Sequence, residues 1–289
     1  MNINYFVKSI EKQNLNCEGI IVLRHGKKIG EHRWVPEIRR NSFSVSKSFV
    51  SVAIGMAVND GKLSLGSRVA EVFPEHICNP EKPLSALTIE HLLTMTRGHG
   101  ELSRPATVAE ALAQPLKYRP GERFVYDNGS ALLASAVFTR TMGINVRDFL
   151  IDTLFGPLEI PDPEWAESPD GHTIGGTGLT LTTSELARFG QFLLQRGEWK
   201  GKQLVSAAWI DSAGQPQVST RLRKPDCLSY GYFFWPGRHG TYRAEGKEGQ
   251  FIIVLPGQDA VIAVNSDEPK LYPILDTVWN EILPVTVTV

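Results

Sequence analysis

The sequence places a serine hydroxyl and a lysine amine three residues apart, in the segment Ser44-Val45-Ser46-Lys47. A serine hydroxyl is a weak nucleophile and needs a neighbouring group to accept its proton. On a helix, residues at this spacing lie on the same face, so the two side chains can interact. A serine at this place can also be an ordinary helix N-cap. The spacing therefore leaves two roles for Ser44, a catalytic nucleophile and a cap.

The residues around this segment favour the catalytic interpretation. The run 49–58 is apolar on every side, which predicts a buried helix. Unpaired N–H groups at the N-terminus of a helix favour negative charge that develops nearby. The same Ser-x-x-Lys spacing recurs at Ser9 and Lys12, in a polar segment that leads into no buried helix. We interpret Ser9 as a surface residue.

A second polar group, Tyr126-Asp127-Asn128, precedes an apolar helix predicted to begin near Ala131 and to end at Gly143. A phenol beside an amine can pass protons between a nucleophile and a leaving group. An asparagine amide can hold a substrate carbonyl. Asp-Asn-Gly is also a strong turn sequence, so a simple turn remains the alternative.

Ser44-x-x-Lys47 followed by Tyr126-x-Asn128 resembles the class C β-lactamase and D-alanyl-D-alanine peptidase family, which includes esterases and amide hydrolases of the same fold. The resemblance runs from about residue 18 to residue 283 and keeps the family's order. It implies a β-lactamase/transpeptidase-like fold. Further segments that carry it are 88–98, the glycine-rich 175–179 leading into 186–190, and Tyr230-Gly231-Tyr232.

The resemblance also implies a role for each residue of the two motifs. Ser44 would attack a carbonyl and become acylated, and its own N–H would form half of an oxyanion hole. Lys47 would be the base if it is neutral in the resting site, which burial would favour by lowering its pKa. Tyr126 would relay a proton or be the base itself. Asn128 would hydrogen-bond Lys47 and the carbonyl side of the substrate.

The third motif of the family departs from its usual form in this chain. The family has Lys-Thr-Gly, or His-x-Gly in relatives, whereas the corresponding stretch here begins at Ala244. The candidate substrate-binding residues in it are Glu245, Gly246 and Lys247. An N–H near Gly246 or Lys247 could complete the oxyanion hole, and a plain hairpin turn is the alternative. Lys247 could replace the family lysine if the register slips. Without that lysine, and with Glu245 and Glu248 nearby, an anionic substrate is a poorer fit.

Short β-type runs near both ends of the chain predict one sheet. Residues 18–24 and 29–34 flank one turn, and residues 251–255 and 260–265 flank another. The chain between these pairs is mostly helical. We therefore expect an α+β fold, with an antiparallel sheet built from both chain termini, flanking helices and an inserted, mostly helical region.

Helical patterns set the expected division of the chain. Residues 182–195 begin with a capping box, and residues 271–283 carry apolar side chains on one helical face. We expect one catalytic unit over residues 1–289. Its sheet part takes about 1–45 and 225–289, and its helical part takes about 46–224.

Composition excludes several classes of partner. The chain has 30 Lys and Arg against 31 Asp and Glu, with no basic stripe, so we expect no nucleic-acid binding. No uninterrupted apolar run approaches about eighteen residues, so we expect no membrane span. The seven histidines lack metal-site spacing and no nucleotide fingerprint occurs, so we expect neither metal nor cofactor.

Cysteine use and the N-terminal segment indicate the compartment. Cys17, Cys78 and Cys227 are an odd, scattered set, which favours a reducing environment. The segment 1–13 lacks the features of a signal peptide. We expect a cytoplasmic protein.

Together these features predict a serine hydrolase that forms a covalent acyl-enzyme on Ser44. We expect an esterase or amide hydrolase that acts on a small-molecule ester, amide or lactam. A genuine β-lactamase or penicillin-binding peptidase is one alternative, and a non-catalytic ligand-binding member of the fold is another. Neither the natural substrate nor the oligomeric state can be inferred from the sequence.

Overall fold

A computed structural model of the chain describes residues 3–77, 79, 83–101 and 103–283. Six strands form one antiparallel sheet in the order β2-β1-β12-β11-β10-β9, so both ends of the chain contribute to it. This confirms the predicted sheet and both predicted strand pairs. In chain order the strands are β1 (Cys17–Arg24), β2 (Lys27–Arg33), β3 (Arg40–Asn41), β4 (Thr180–Leu181), β5 (Glu198–Trp199), β6 (Lys202–Gln203), β7 (Val218–Ser219), β8 (Ser229–Tyr230), β9 (Trp235–Pro236), β10 (Tyr242–Gly246), β11 (Gln250–Leu255) and β12 (Ala260–Ser266).

Helices pack against the sheet. They also make up much of the chain between its N-terminal strands, β1 and β2, and its C-terminal strands, β9 to β12. Within the described ranges, no helix is both long and apolar enough to cross a membrane. The α-helices are α1 (Asn4–Lys12), α2 (Ser46–Asn59), α3 (Val69–Val72), α4 (Ile89–Leu93), α5 (Val108–Ala113), α6 (Asn128–Met142), α7 (Val146–Leu150), α8 (Thr183–Leu194), α9 (Ala207–Gly214) and α10 (Leu271–Glu281).

Side-chain alternation along β11 explains why the sheet is buried on both faces. Phe251, Ile253 and Leu255 pack into an apolar layer with α1 and α10. Ile252 and Val254 point the other way, into the larger core that contains α8. Successive side chains of a strand face opposite sides, so a strand covered on both faces is apolar throughout.

The helix predicted after Ser44 is buried, as its uniform apolar pattern indicates. In α2, every residue from Ser46 to Ala57 is buried. Its Phe49 ring stacks on Phe189 of α8 with centroids 3.7 Å apart. α2 also packs against α6. This packing fixes the N-terminal end of α2 next to the start of α6.

Two of the three cysteines lie in the described residues. Cys17 and Cys227 are buried free thiols. Cys78 lies outside the described residues.

Candidate active site

Ser44 lies in a 3-10 turn, Phe43–Val45, that leads directly into α2. Phe43 has a φ of 47°, a left-handed conformation that is strained for a bulky side chain. Hydrogen bonds hold it on both sides. The Phe43 N–H donates to Asn41 Oδ1 at 2.9 Å, and the Ser46 hydroxyl donates to the Phe43 carbonyl at 2.6 Å. The turn leaves Ser44 half-buried, so a small molecule can reach its hydroxyl.

Lys47, one turn further along, is buried with its amine directed at Ser44. Its Nζ lies 2.9 Å from Ser44 Oγ, 2.7 Å from Asn128 Oδ1 and 3.2 Å from the Gly176 carbonyl oxygen. A neutral amine has two N–H donors and one lone pair. The two donors match the Asn128 and Gly176 oxygens, which leaves the lone pair for the Ser44 proton.

Burial changes the protonation of this amine. Desolvation lowers the pKa of Lys47 from 10.5 to about 7, the charge of Asp127 opposes that shift, and the charge of Arg104 adds to it. About half of the molecules then carry a neutral Lys47 at neutral pH, compared with about one in a few thousand for a free lysine. The site therefore supplies an amine that can accept a proton.

Tyr126 and Asn128 flank the N-cap of α6, and the cap residue between them fixes both. Asp127 accepts hydrogen bonds from the Gly129 and Ser130 N–H groups at 3.0 and 2.9 Å. Such a cap satisfies two of the otherwise unpaired N–H groups of the helix. The predicted turn is thus the start of the helix, which begins at Asn128.

Arg97 pairs with the cap residue Asp127. Nothing in the sequence alone assigned Arg97 to the site. Its guanidinium pairs with the Asp127 carboxylate, and both side chains are almost fully buried. It also donates to the Ala111 carbonyl at 2.8 Å and to Gln114 Oε1 at 2.7 Å. The Arg97 guanidinium helps to hold the pKa of Asp127 below its usual value against the opposing effect of burial. This buried, hydrogen-bonded pair holds the cap that precedes Asn128 in place.

Gly176 is the other residue that the sequence did not assign to the site. Its carbonyl oxygen accepts from Lys47 Nζ at 3.2 Å and lies 3.5 Å from Ser44 Oγ. A Cβ at this position would lie 2.9 Å from Asn128 Oδ1, closer than side chains pack. Only glycine lets the backbone approach this closely.

The Tyr126 ring lies next to Lys47 and Trp235. Lys47 Nζ lies 5.0 Å from its centroid, and the ring stacks on Trp235 at a centroid distance of 5.8 Å. Burial raises the pKa of Tyr126 well above its ordinary value; a hydrogen bond with Ser44 opposes the rise and the charge of Glu245 adds to it. The phenol therefore stays protonated at neutral pH.

The third-motif stretch forms the end of β10, beside the Ser44 turn. Ala244 is buried in this strand, and Gly246 pairs with Gln250 across the turn to β11. Gly246 lies against the Ser42 carbonyl oxygen, where a side chain would not fit. Gly246 thus belongs to a hairpin and also borders the turn that contains Ser44.

The charges of this stretch are paired. Glu245 pairs with the buried Arg243 at 2.6 Å, and Lys247 pairs with Glu248 at 2.6 Å. The Lys247 side chain is 65% exposed, and its Nζ lies 5.5 Å from the centroid of the Phe43 ring. The structure therefore does not place Lys247 in contact with Ser44, Lys47, Tyr126 or Asn128.

Residues that could serve other chemistry have structural roles. The His91 ring accepts from the Thr88 N–H at 3.2 Å and so closes the cap of α4, as expected of a packed histidine. Among the described residues, no three His, Cys, Asp or Glu side chains converge to hold a metal ion.

Known proteins are similar to this chain in sequence and in fold. The 6-aminohexanoate-dimer hydrolase of Paenarthrobacter ureafaciens is 22% identical over 87% of this chain and 73% of its own length. A proposed 6-aminohexanoate-dimer hydrolase of Bacillus anthracis superposes with a TM-score of 0.79 at 18% identity, over 95% of this chain and 80% of that one. The octameric penicillin-binding protein homologue of Pyrococcus abyssi gives 0.76 at 18% identity, over 99% and 78%.

These structural likenesses show a β-lactamase/transpeptidase-like fold, as the motifs implied. The family model described as Beta-lactamase matches residues 5–280, nearly the whole chain. The chain therefore belongs to the beta-lactamase family, which has hydrolases among its members.

Proposed function

We propose that the protein is a serine hydrolase that forms a covalent acyl-enzyme on Ser44. The observation that carries the proposal is the 2.9 Å contact between Nζ of the buried Lys47 and Oγ of the half-buried Ser44. The Asn128 and Gly176 oxygens occupy the other two hydrogen-bonding directions of the amine. A protonated Lys47 donates to all three oxygens, whereas the neutral amine donates to Asn128 and Gly176 and keeps a lone pair that can take the serine proton.

Acylation begins when Ser44 Oγ attacks the substrate carbonyl carbon and its proton passes to Lys47 Nζ. The carbonyl oxygen gains negative charge beside the Ser44 N–H, at the turn that leads into α2. Burial keeps Tyr126 protonated in the resting site, so it has a proton to donate and is not available there as the base. Tyr126 therefore gives its proton to the leaving oxygen or nitrogen and receives one from Lys47.

Hydrolysis of the acyl-enzyme uses the same groups in the reverse direction. A water molecule takes the place of the leaving group, and its proton passes to the amine of Lys47 as it attacks the acyl carbon. Ser44 Oγ then leaves and recovers a proton. No metal or cofactor is needed for either half of the reaction.

The substrate we propose is a small ester or amide. In β10, beside the site, Ala244 stands at the position where the enzymes that this chain resembles carry a lysine or a histidine. That change disfavours the substrate contact that a lysine of the third motif makes in β-lactamases and peptidases. The name of the Paenarthrobacter relative, a dimer hydrolase, supports a hydrolytic reaction on a small molecule.

A fluorophosphonate tests the nucleophile. Wild-type protein, Ser44→Ala and Ser9→Ala are treated in parallel, intact masses are recorded, and short-chain nitrophenyl esters are screened. Ser9 is the matched control because it shares the Ser-x-x-Lys spacing but hydrogen-bonds Glu281 on α10 instead. We expect one adduct and ester turnover in wild type and Ser9→Ala, and neither in Ser44→Ala.

The same experiment separates the alternatives. A wild-type protein that is neither labelled nor active would contradict the proposal and favour a non-catalytic ligand-binding protein. The match to the Beta-lactamase model favours one second candidate, a β-lactamase or penicillin-binding peptidase. Acylation by a chromogenic cephalosporin at a rate above that of the best ester would support that candidate.

A further inference from the structure

A loop segment around Arg104 lies against the start of α6, at the catalytic group. The Asn128 N–H donates to the Ser103 carbonyl at 3.2 Å. Pro105 packs over Gly129, where its Cγ would lie 3.1 Å from an added Cβ. Arg104, between these two contacts, is held beside Asn128 by its backbone, and its side chain is exposed.

The charge of Arg104 acts on the amine of Lys47. Besides burial, which is the largest cause, its charge lowers the pKa of Lys47. Across the described residues, no hydrogen bond or ion pair to the Arg104 side chain is present. The loop that contacts the start of α6 therefore carries an exposed cation that is free to bind a ligand.

Three carboxylates near the site each have a cationic partner. Asp127 pairs with Arg97 and Glu245 with Arg243, both in buried contacts. Glu248 pairs with Lys247 at the turn after β10. The two carboxylates that the sequence suggested would repel an anion, Glu245 and Glu248, are thus each paired with a cation, whereas Arg104 has no acidic partner among the described residues.

We propose that Arg104 binds a carboxylate of the substrate, so that the enzyme prefers esters or amides that carry a carboxylate to their uncharged counterparts. The inference rests on the proposed function, because it concerns the substrate of the Ser44 site. A guanidinium presents a planar pair of N–H donors that matches a carboxylate. Ala244, on the β10 side of the site, has no side chain that could contact an anion. Arg104, on the Asn128 side, would make that contact instead.

Matched substrate pairs test the preference. One pair carries the charge on the acyl part, the 4-nitrophenyl monoester of adipate against 4-nitrophenyl hexanoate. The other carries it on the leaving group, 4-acetoxybenzoate against its methyl ester. We expect wild type to have the higher kcat/KM for the anionic member of at least one pair. In Arg104→Ala this anionic-to-neutral ratio should fall about threefold to tenfold, mainly through KM, because solvent screens an exposed ion pair.

Two further variants give the controls. Arg104→Glu should reverse the preference, and Arg104→Lys should keep part of it. Lys62→Ala removes the same charge beyond the far end of α2, about 20 Å away, and should leave the ratio unchanged.

No anionic preference in either pair, or a ratio that Arg104→Ala leaves as it is, would overturn the inference. Either result keeps the proposed function intact as long as the neutral esters are hydrolysed and Ser44 is labelled. Loss of both would show instead that the proposed function has failed. A separate readout is the pH profile: without the Arg104 charge, the alkaline rise in acylation rate should move to higher pH.

Discussion

Between about pH 6 and pH 8, the acylation rate should follow the ionisation of Lys47. Only the neutral amine has a lone pair for the Ser44 proton, so the rate should rise as the pH passes upward through the pKa of Lys47. Burial lowers that pKa to about 7. The rise should therefore level off near pH 8, well below the range in which an ordinary lysine titrates.

The size of the change follows from the neutral fraction. With a pKa of about 7, roughly one Lys47 in eleven is neutral at about pH 6, half at about pH 7 and ten in eleven at about pH 8. The rate should thus increase about fivefold over the first of these intervals and about twofold over the second. A lysine with its ordinary pKa would instead give about a tenfold increase per pH unit throughout this range.

The assay is hydrolysis of 4-nitrophenyl hexanoate under kcat/KM conditions, together with the rate of fluorophosphonate labelling. The uncharged ester avoids any contribution from a carboxylate at Arg104. Lys47→Met keeps an unbranched side chain but has no amine, so its profile should lose the inflection and its rate should fall about 10²- to 10⁴-fold. A flat wild-type profile, or an inflection above about pH 9, would refute the assignment of Lys47 as the base.

Further predictions concern the residues that position the catalytic group. Asp127→Ala should lower the free energy of unfolding by about 3–5 kcal/mol in urea titrations, because it leaves the Arg97 guanidinium buried without its partner; an unchanged midpoint would contradict this. Gly176→Ala should lower kcat/KM at least about tenfold, since its Cβ would displace the side-chain oxygen that holds the catalytic amine. Gly257→Ala, where a Cβ meets open space, is its control and should match wild type. Tyr126→Phe should slow anilide hydrolysis about 10²- to 10⁴-fold and nitrophenyl-ester hydrolysis much less, because only the anilide needs a proton on its leaving group; equal losses would argue against a proton-donor role.

The parts of the site that could be predicted are those with a local signature. Ser44 and Lys47 stand at helical spacing before an apolar run, and the structure places Lys47 on the helix that this run forms and Ser44 in the 3-10 turn that leads into it. Tyr126 and Asn128 precede a second helix. Asn128 contacts Lys47 across 81 residues of chain, and this contact could be expected only from the family resemblance.

Other contributions to the site have no signature in the sequence. Gly176 contacts Lys47 through its backbone oxygen. Every residue type carries this atom, so only the fold reveals the contact. Arg97 and Asp127 lie 30 residues apart, and their pairing depends on how the intervening chain packs. Asp127 itself fitted a turn as well as a cap, because both use its carboxylate to accept N–H groups.

Short extended segments were the least predictable part of the fold. Tyr230 lies in β8, which pairs with β7, whereas the strand that borders β10 is β9. Two-residue strands are too short for side-chain alternation to define them. The long strands β11 and β12 gave no such difficulty, since their apolar residues alone determine that they are buried.

The central claim is that Ser44 carries a covalent acyl group during turnover. Wild-type protein is mixed with 4-nitrophenyl trimethylacetate, whose bulky acyl group slows hydrolysis of the acyl-enzyme, and nitrophenol release is followed by stopped flow. Acid-quenched samples are then digested and mapped by tandem mass spectrometry. We predict a burst of one nitrophenol per chain and one trimethylacetyl group, located on Ser44. Nitrophenol release without a burst and without an adduct, or an adduct on another residue, would contradict the account.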